Sequence, residues 1–328
     1  MTGIGIVVAI LVSLVAVLIP WLPTSASEEM DRIEFVYWFA TIICIGIFSL
    51  VMAVIIYSVL TFRAGPDDEA DGPSIHGHTG LEIVWTVVPA VLVIAIGIVS
   101  AVVLSQNGSA GANPLTVKVF AQQFAWRFEY PDQANLKSGE LVLPTGRSVK
   151  FEMTSADVIH SFWIPEMGQK QDLVPGIKTT LVVTPKPGHE GTFTLVCTEL
   201  CGLGHATMRA PVRVLTQAGF DAWVKEQQSG GGGGATGAAV FTSAGCAGCH
   251  AFEPAGSNAA IGPSLDELAA SAEQAGQPLD AYVRESIVEP GKVIASGYKD
   301  GVMPPSFGES LSAKEIDALV QYLTGTGP

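Results

Sequence analysis

Charge and cysteine are both scarce in this sequence. Only 15% of the 328 residues are charged, against roughly 25% in a typical soluble domain, and 17 Lys and Arg residues face 31 Asp and Glu residues. The shortage of basic residues argues against a nucleic-acid partner, because phosphate binding needs Lys and Arg. Five cysteines are too few for a disulfide scaffold, so their spacing has to decide their role.

Apolar residues are abundant even though the formal net charge is −14. They make up 48% of the chain, and the mean hydropathy is +0.40. A disordered acidic chain would be poor in such residues, and the length suits two or three domains. The apolar residues must therefore be concentrated in a few segments, with the charge placed elsewhere.

Three apolar segments lie in the first third of the chain, at 4–22, 33–62 and 81–104. Each has about the 20 residues that a helix needs to cross the hydrocarbon core of a bilayer. The second and third carry no charge in their interiors and predict a transmembrane hairpin over residues 28–105. Residues 1–27 are either a cleaved signal peptide or an extra membrane helix. Small polar residues at 24–27 favour the signal peptide, although its usual positively charged start is missing.

The charge is distributed unevenly along the rest of the chain. Residues 1–112 carry a net charge of −7, residues 113–228 carry 0, and residues 229–328 carry −7. Five consecutive glycines at 230–234 lie where the charge changes and predict a flexible linker, because such a run has no side chains to pack. The predicted domains are therefore 113–215 and 235–328, joined by a helix and linker at 216–234.

The middle domain is predicted to be all-β. Short segments rich in β-branched and aromatic residues alternate with turn residues, which indicates a sandwich or barrel. These segments lie at 115–120, 125–130, 141–143, 148–154, 179–184, 192–197 and 208–215.

A soft metal-ligand set lies near the end of this domain. Cys197, Cys201, His205 and Met208 follow one another in a C-x3-C-x3-H-x2-M pattern, and His160 precedes the first cysteine. Thiolate and thioether ligands select copper, zinc or iron–sulfur clusters, and imidazole suits copper. A mononuclear blue-copper site uses one Cys, so the second predicts two copper ions that share thiolates. A disulfide is the alternative, which the adjacent His and Met disfavour.

These residues resemble subunit II of the haem–copper respiratory oxidases over about residues 30–215. Residues 78–89, HTGLEIVWTVVP, resemble the start of that family's second helix, and 123–130 resemble its aromatic strand. The resemblance implies a cupredoxin-like fold and a binuclear copper centre, CuA, held by the motif residues, His160 and the Glu199 carbonyl. It also implies that the Glu199 carboxylate faces a magnesium ion shared with subunit I. Asp157, Lys170 and Asp172 match positions near the subunit I contact.

The sequence departs from the family pattern at two positions. Phe124 stands where a Trp is common, two residues before Trp126, in the aromatic region where electrons enter the copper centre. The usual route from an external cytochrome c is therefore in question here. His78 stands where an Asn is common, with no evident reason in the sequence.

The C-terminal domain carries Cys246 and Cys249 in a C-x-x-C-H motif that ends at His250, the attachment signature of c-type haem. A redox CxxC pair is the alternative. Met303, the sole methionine of this domain, is a candidate second iron ligand or else a core residue. The region resembles the all-α class I cytochromes c over about 235–325. That resemblance implies axial ligation by His250 and Met303, with Gly262 and Pro263 near the histidine.

Together these features predict a multidomain membrane protein that passes electrons from a donor through haem c and CuA to subunit I of a terminal oxidase. Dioxygen reduction and proton translocation then belong to subunit I. Expected partners are subunits I and III, membrane lipid, and cytochrome c or a quinol–cytochrome c reductase. Haem c attachment predicts that both soluble domains lie outside a bacterial plasma membrane. A subunit of a CuA-containing nitric oxide reductase and a free-standing electron carrier are the alternatives.

Overall fold

The computed structural model describes residues 1–63, 65, 72, 74, 76–228, 236–305 and 307–326. The glycine run predicted to be a linker lies outside the described residues. The chain divides into two compact units. The first comprises residues 1–25 and 29–109, and the second comprises residues 26–28 and 110–328.

The first unit contains three helices, α1 (Thr2–Leu18), α2 (Glu28–Thr61) and α3 (Thr79–Asn107). Among the described residues, two helices are long and apolar enough to cross a membrane, and these are α2 and α3. With a rise of 1.5 Å per residue they extend about 50 Å and about 44 Å, more than the roughly 30 Å of a hydrocarbon core. The predicted transmembrane hairpin is confirmed. The fate of α1, as signal peptide or third membrane helix, stays a prediction.

Polar groups secure the ends of α2 and α3. Arg32 donates from Nη1 to Asn107 Oδ1 over 3.1 Å, and Asn107 Nδ2 donates to the Glu29 carbonyl over 3.3 Å. At the start of α3, the Leu81 N–H donates to His78 Nδ1 over 3.2 Å, and the Glu82 carboxylate accepts from the His78 N–H over 3.2 Å. His78 therefore caps α3, a role that Asn also fills well.

The second unit begins with two five-stranded sheets. In chain order the strands are β1 (Leu115–Gln122), β2 (Ala125–Tyr130), β3 (Leu136–Ser138), β4 (Leu141–Pro144), β5 (Val149–Ser155), β6 (His160–Trp163), β7 (Lys170–Leu173), β8 (Thr179–Val183), β9 (Gly191–Cys197) and β10 (Arg209–Leu215). One sheet has the order β3-β2-β1-β5-β8 and the other β4-β10-β9-β6-β7. The all-β, cupredoxin-like prediction is confirmed.

The core of this β domain is formed by inward-facing residues, which alternate with outward-facing residues along the strands. Strand β1 alternates buried and half-buried positions along its whole length, as expected for a sheet with one covered face. Phe128, Phe151 and Phe162 are fully buried. Tyr130 is buried as well, and its hydroxyl donates to the Val142 carbonyl over 3.0 Å and accepts from the Val142 N–H over 2.7 Å.

The remainder of the second unit is mainly helical. Its helices are α4 (Gln217–Gln228), α5 (Gly237–Ser243), α6 (Leu268–Gln274), α7 (Leu279–Val288), α8 (Phe307–Ser310) and α9 (Ala313–Thr324), and a short β11–β12 pair joins Ala251–Phe252 to Ser257–Asn258. The aromatic rings of Phe241, Phe252 and Tyr322 pack with centroids 5.4–5.9 Å apart. Ser312 and Glu315 form a capping box at the start of α9, which reinforces that helix.

Candidate metal centre and cofactor pocket

The five predicted copper-ligand side chains converge at one end of the β domain. Strand β9 ends at Cys197, and β6 begins at His160. These strands are antiparallel neighbours with Phe162 opposite Cys197. The His160 ring therefore lies close to the loop that joins β9 to β10, and its Nδ1 is 3.9 Å from Cys197 Sγ.

Cys201 lies at the centre of the candidate ligands near this loop. Its Sγ lies 3.8 Å from Cys197 Sγ, 3.5 Å from His205 Nδ1 and 3.7 Å from Met208 Sδ. The Glu199 carbonyl oxygen lies 3.3 Å from Cys197 Sγ. The loop and the start of β6 thus bring two thiols, two imidazoles, a thioether and a carbonyl within a few ångströms of one another.

Both cysteines at this site are free thiols. A sulfur–sulfur distance of 3.8 Å is nearly twice the length of a disulfide bond. The donor set matches the preference of copper for thiolate, thioether and imidazole, and its thioether, Met208, is a ligand type that structural zinc sites do not use. The residues present therefore fit a copper pair better than a disulfide.

The pKa values of the two thiols favour a bound cation at this site. Burial raises the pKa of the Cys197 thiol, but hydrogen bonds, first among them that with His160, outweigh this effect and lower it to about 6. Burial and the negative charge of Cys197 raise the pKa of Cys201 to about 12. One thiol is therefore readily ionised, while the second becomes a thiolate easily only when a positive ion offsets the repulsion.

Asp157 orients one of the imidazoles. Its Oδ1 lies 2.8 Å from His160 Nε2, which leaves Nδ1 facing the Cys197 sulfur. Burial lowers the pKa of His160, but hydrogen bonds and charge interactions with Asp157 and Cys197 together outweigh it and raise the pKa above its usual value. A carboxylate behind a ligating histidine is a common device for fixing ring orientation. The sequence offered one signal for it, an Asp three residues before the His.

Other predicted residues lie around the cluster. Trp126 is buried, and its ring makes an edge contact with the His160 ring at 6.3 Å. Lys170 stacks over the Trp163 ring at 4.9 Å. Asp172 and the Glu199 side chain are exposed to solvent, so they are available to a partner or an ion and do not contribute to the buried cluster.

The C-terminal domain contains a large apolar cavity at its C-x-x-C-H motif. Cys246, Cys249, His250 and Met303 all line this cavity, which is partly open to solvent. Apolar side chains from α6, α7 and α9 form much of the remaining wall. A flat, mostly apolar group with a central metal suits such a cavity, and haem c fits both the lining and the thiol spacing.

The His250 ring is held for ligation through its outer nitrogen. Its Nδ1 lies 2.7 Å from the Pro263 carbonyl and donates to it, so Nε2 keeps a free lone pair. Burial lowers the pKa of His250, which favours the neutral ring that a metal needs. A Cβ at Gly262 would lie only 2.5 Å from the ring. The predicted proximity of Gly262 and Pro263 to the histidine is confirmed.

The same cavity is lined by two residues of the β domain, Gln123 and Phe124. Phe124, the residue that departs from the family pattern, is buried, and its ring packs against the copper-ligand loop at Gly202 and Gly204. The sequence alone could not predict this placement, because it depends on contacts between segments that are far apart in the chain.

A membrane anchor, a cupredoxin-like domain with converged sulfur and imidazole donors, and a C-x-x-C-H cavity define a membrane-bound electron-transfer protein. Three family descriptions match it. Residues 15–103 match the transmembrane domain of cytochrome c oxidase subunit II, residues 136–215 match its periplasmic domain, and residues 234–327 match cytochrome c. The chain belongs to the cytochrome c oxidase subunit II family.

Relatives agree over most of the chain. Cytochrome c oxidase subunit 2 of Alkalihalophilus pseudofirmus is 30% identical over 86% of this chain and 84% of that protein. The corresponding protein of Bacillus subtilis is 30% identical over 93% of this chain and 92% of its own length. The crystal structure of the periplasmic domain of subunit II of cytochrome oxidase from Bradyrhizobium japonicum matches 37% of this chain and 99% of its own, with 28% identity and a TM-score of 0.35.

These matches make the chain a component of an oxidase complex, the one through which electrons enter a terminal oxidase. They favour this function over a nitric oxide reductase subunit or a free-standing carrier. The family descriptions imply a copper centre in the β domain and haem c in the C-terminal domain. They also imply a membrane protein that associates with other oxidase subunits.

Proposed function

We propose that this chain receives electrons from an external donor in its C-terminal domain, transfers them to its β domain, and delivers them to the haem–copper subunit I. One observation carries the proposal. The thiol and imidazole cluster and the C-x-x-C-H cavity lie in one structural unit, and Gln123 contacts both, because it lines the cavity and donates to the Cys201 carbonyl.

The proposed ligands of the copper pair are His160, Cys197, Cys201, His205, Met208 and the Glu199 carbonyl. When bound, the pair would supply a one-electron store. The chain holds the ligand atoms in position before the metal binds. His160, Cys197, Cys201 and Met208 are all buried, so little needs to move as the charge changes by one electron.

In the C-terminal domain, Cys246 and Cys249 are the proposed sites of covalent haem attachment, and His250 and Met303 are the proposed axial ligands. When bound, the haem would accept an electron from the donor and supply it to the β domain. A methionine ligand raises the reduction potential of a haem iron. The Pro263 carbonyl fixes the histidine ring, and the apolar wall keeps water away from the site.

The exposed end of the copper-ligand loop is the proposed contact with subunit I. Leu200 and Leu203 are 79% and 82% exposed, and exposed apolar residues beside polar ones are typical of an interaction site. Glu199 lies next to them with an exposed carboxylate, which we assign to a magnesium ion shared with subunit I. Subunit III is expected to pack in the same complex.

The donor is proposed to be cytochrome c or a quinol–cytochrome c reductase with a basic face. The last hundred residues carry a net charge of −7, so a basic partner is attracted, and its association rate falls as salt rises. Both soluble domains are proposed to lie on the outer face of a bacterial plasma membrane, where haem c is attached.

Cys197→Ser tests the ligand assignment. The variant is expected to lose the near-infrared absorbance of the copper pair and oxidase turnover, while haem c stays attached. Cys44→Ser is the matched control, because Cys44 is exposed on α2 and far along the chain from the motif. Retained copper absorbance in Cys197→Ser would contradict the assignment.

A further inference from the structure

The turn between β1 and β2 contacts both the copper-ligand loop and the C-terminal cavity. Gln123 and Phe124 form this turn, and Ala125 opens β2. We name residues 123–125 the bridging segment. Gln123 and Phe124 line the C-terminal cavity together with Cys246 and Cys249, although they belong to the β domain by sequence and by strand pairing.

The bridging segment is fastened to the copper-ligand cluster by hydrogen bonds. Gln123 donates from Nε2 to the Cys201 carbonyl over 2.5 Å, and from its backbone N–H to Asp157 Oδ2 over 2.7 Å. The other oxygen of Asp157 holds His160. A displacement of Gln123 would therefore disturb Cys201, a candidate thiol ligand, and His160, a candidate imidazole ligand.

The Phe124 ring is fastened to the same loop by close packing. A Cβ at Gly202 would lie 3.2 Å from the ring, and a Cβ at Gly204 would overlap it. The two glycines leave the space that the ring fills. The bridging segment is thus a rigid extension of the ligand loop toward the cavity.

The C-terminal domain meets this extension with its haem-attachment turn. Gly245, the residue before Cys246, has φ +74° and lies so close to Ala125 that a Cβ on it would overlap the alanine methyl group. The Thr207 hydroxyl donates to the Gly204 carbonyl over 2.9 Å, and its Oγ1 also lies 3.4 Å from the Gly248 carbonyl oxygen. Thr207 lies between the predicted ligands His205 and Met208, and Gly248 lies between the two attachment cysteines.

Charges at the rim of this contact are complementary. Glu315 on α9 interacts electrostatically with Lys137 and Arg127 of the β domain. Opposite charges at a rim favour one orientation of approach more than they add affinity. The contact therefore has a small-residue centre and a charged edge.

We propose that the bridging segment and Thr207 form a docking surface for this chain's own C-terminal domain, and that the small size of Ala125 sets how closely the haem-attachment turn approaches the copper-ligand loop. The inference rests on the proposed function. With both cofactors bound, one electron would leave the haem iron held by the C-terminal domain, oxidising it, and would enter the copper pair held by the β domain, reducing it. The transfer needs no bond change and no further reactant.

Docking of a tethered domain is efficient because the tether keeps the local concentration high. A larger side chain at residue 125 would hold the domains apart, since packed interfaces do not absorb added volume without displacement. The distance between the cofactors would grow, and the docked population would fall, while neither ligand set would change.

The test is a size series at residue 125 in the intact oxidase complex, with Ala125→Ser, Ala125→Val and Ala125→Leu. After rapid reduction of haem c, the rate of electron arrival at copper is expected to stay within twofold for Ser and to fall at least tenfold for Leu, with Val between them. The matched control is Ala222→Leu, the same change at an exposed position of α4, which is expected to leave the rate unchanged.

Hydrogen–deuterium exchange supplies a readout that does not depend on turnover. The loop at 202–208 is expected to exchange faster in Ala125→Leu than in the parent complex, and to be unaltered in Ala222→Leu. If Ala125→Leu loses either cofactor, the Val variant carries the comparison.

An unchanged transfer rate and unchanged exchange in Ala125→Leu, with both optical spectra intact, would overturn the docking proposal and leave the proposed function standing. Failure of the proposed function has a different signature, because copper absorbance would then survive Cys197→Ser. The two failures are therefore distinguishable.

Discussion

His160 and Asp157 form a hydrogen-bonded pair behind the candidate copper centre, with Nε2 and Oδ1 2.8 Å apart. The pair fixes which nitrogen of the ring is free to face the metal. Asp157 also accepts the backbone N–H of Gln123, so one carboxylate aligns a candidate copper ligand and holds the turn that lines the candidate haem cavity.

We expect Asp157→Ala to weaken copper binding without abolishing it. Loss of a carboxylate that orients a ligating histidine typically lowers metal affinity about 10- to 100-fold. Copper titration of the apo complex measures the effect, and Asp172→Ala, an exposed Asp of the same domain, is the control. Equal affinities in the two variants would rule out an orienting role for Asp157.

Met303 has two interpretations that one substitution separates. As an axial iron ligand, its replacement in Met303→Leu would alter the visible spectrum of haem c and lower its reduction potential. As a core residue only, the near-isosteric change would cost less than about 1.5 kcal/mol and leave the spectrum unaltered. Met167→Leu, at a buried position of the β domain, controls for the general effect of the exchange.

Gly262 lies against the His250 ring, and we expect Gly262→Ala to disturb iron ligation. The added Cβ would lie 2.5 Å from the ring and has no room without movement of the histidine. Redox titration of haem c together with its visible spectrum checks this. Gly97→Ala on α3, where a Cβ meets open space, is expected to change neither quantity, and a normal haem in Gly262→Ala would refute the contact.

The lowered pKa of Glu315 predicts that the stability of the C-terminal domain depends on pH. Burial raises the pKa of the Glu315 carboxyl, but hydrogen bonds from Ser312, together with the charges of Lys137 and Arg127, outweigh burial and hold the pKa below the ordinary 4.5. The folded pKa is the lower one, so the stabilisation is complete above pH 4.5 and is lost as the pH falls through the folded pKa. Glu315→Gln keeps a capping-box side chain but cannot ionise.

Thermal unfolding of the parent chain and of Glu315→Gln measures this contribution. The parent is expected to be the more stable at about pH 7, and the difference should shrink as the pH falls below 4.5 through the folded pKa. A gap that stays constant over that range would show that the carboxylate charge is not responsible.

The sequence predicted the parts of this molecule whose signals are local. The transmembrane segments, the C-x3-C-x3-H-x2-M pattern and the C-x-x-C-H motif are each contained within a short stretch. Strands β3, β6 and β7 were missed because they are only three or four residues long and lack a regular apolar alternation.

Contacts between distant segments could not be predicted in the same way. Gln123 and Cys201 are 78 residues apart, and Thr207 and Gly248 are 41 apart. Neither pair lies within a single motif. The first contact depends on how distant turns of the β domain fold together, and the second depends on how the β domain and the C-terminal domain pack. The role of His78 was also hidden, because a histidine N-cap gives a weaker signal than Ser, Thr, Asp or Asn.

The most direct test of the account is a time-resolved optical measurement on the intact complex after rapid reduction of haem c. Transfer within a single chain predicts that oxidation of haem c and reduction of the copper pair share one rate constant, which does not change when the protein is diluted. A copper signal that rises independently of haem c, or a rate proportional to protein concentration, would contradict transfer within a single chain.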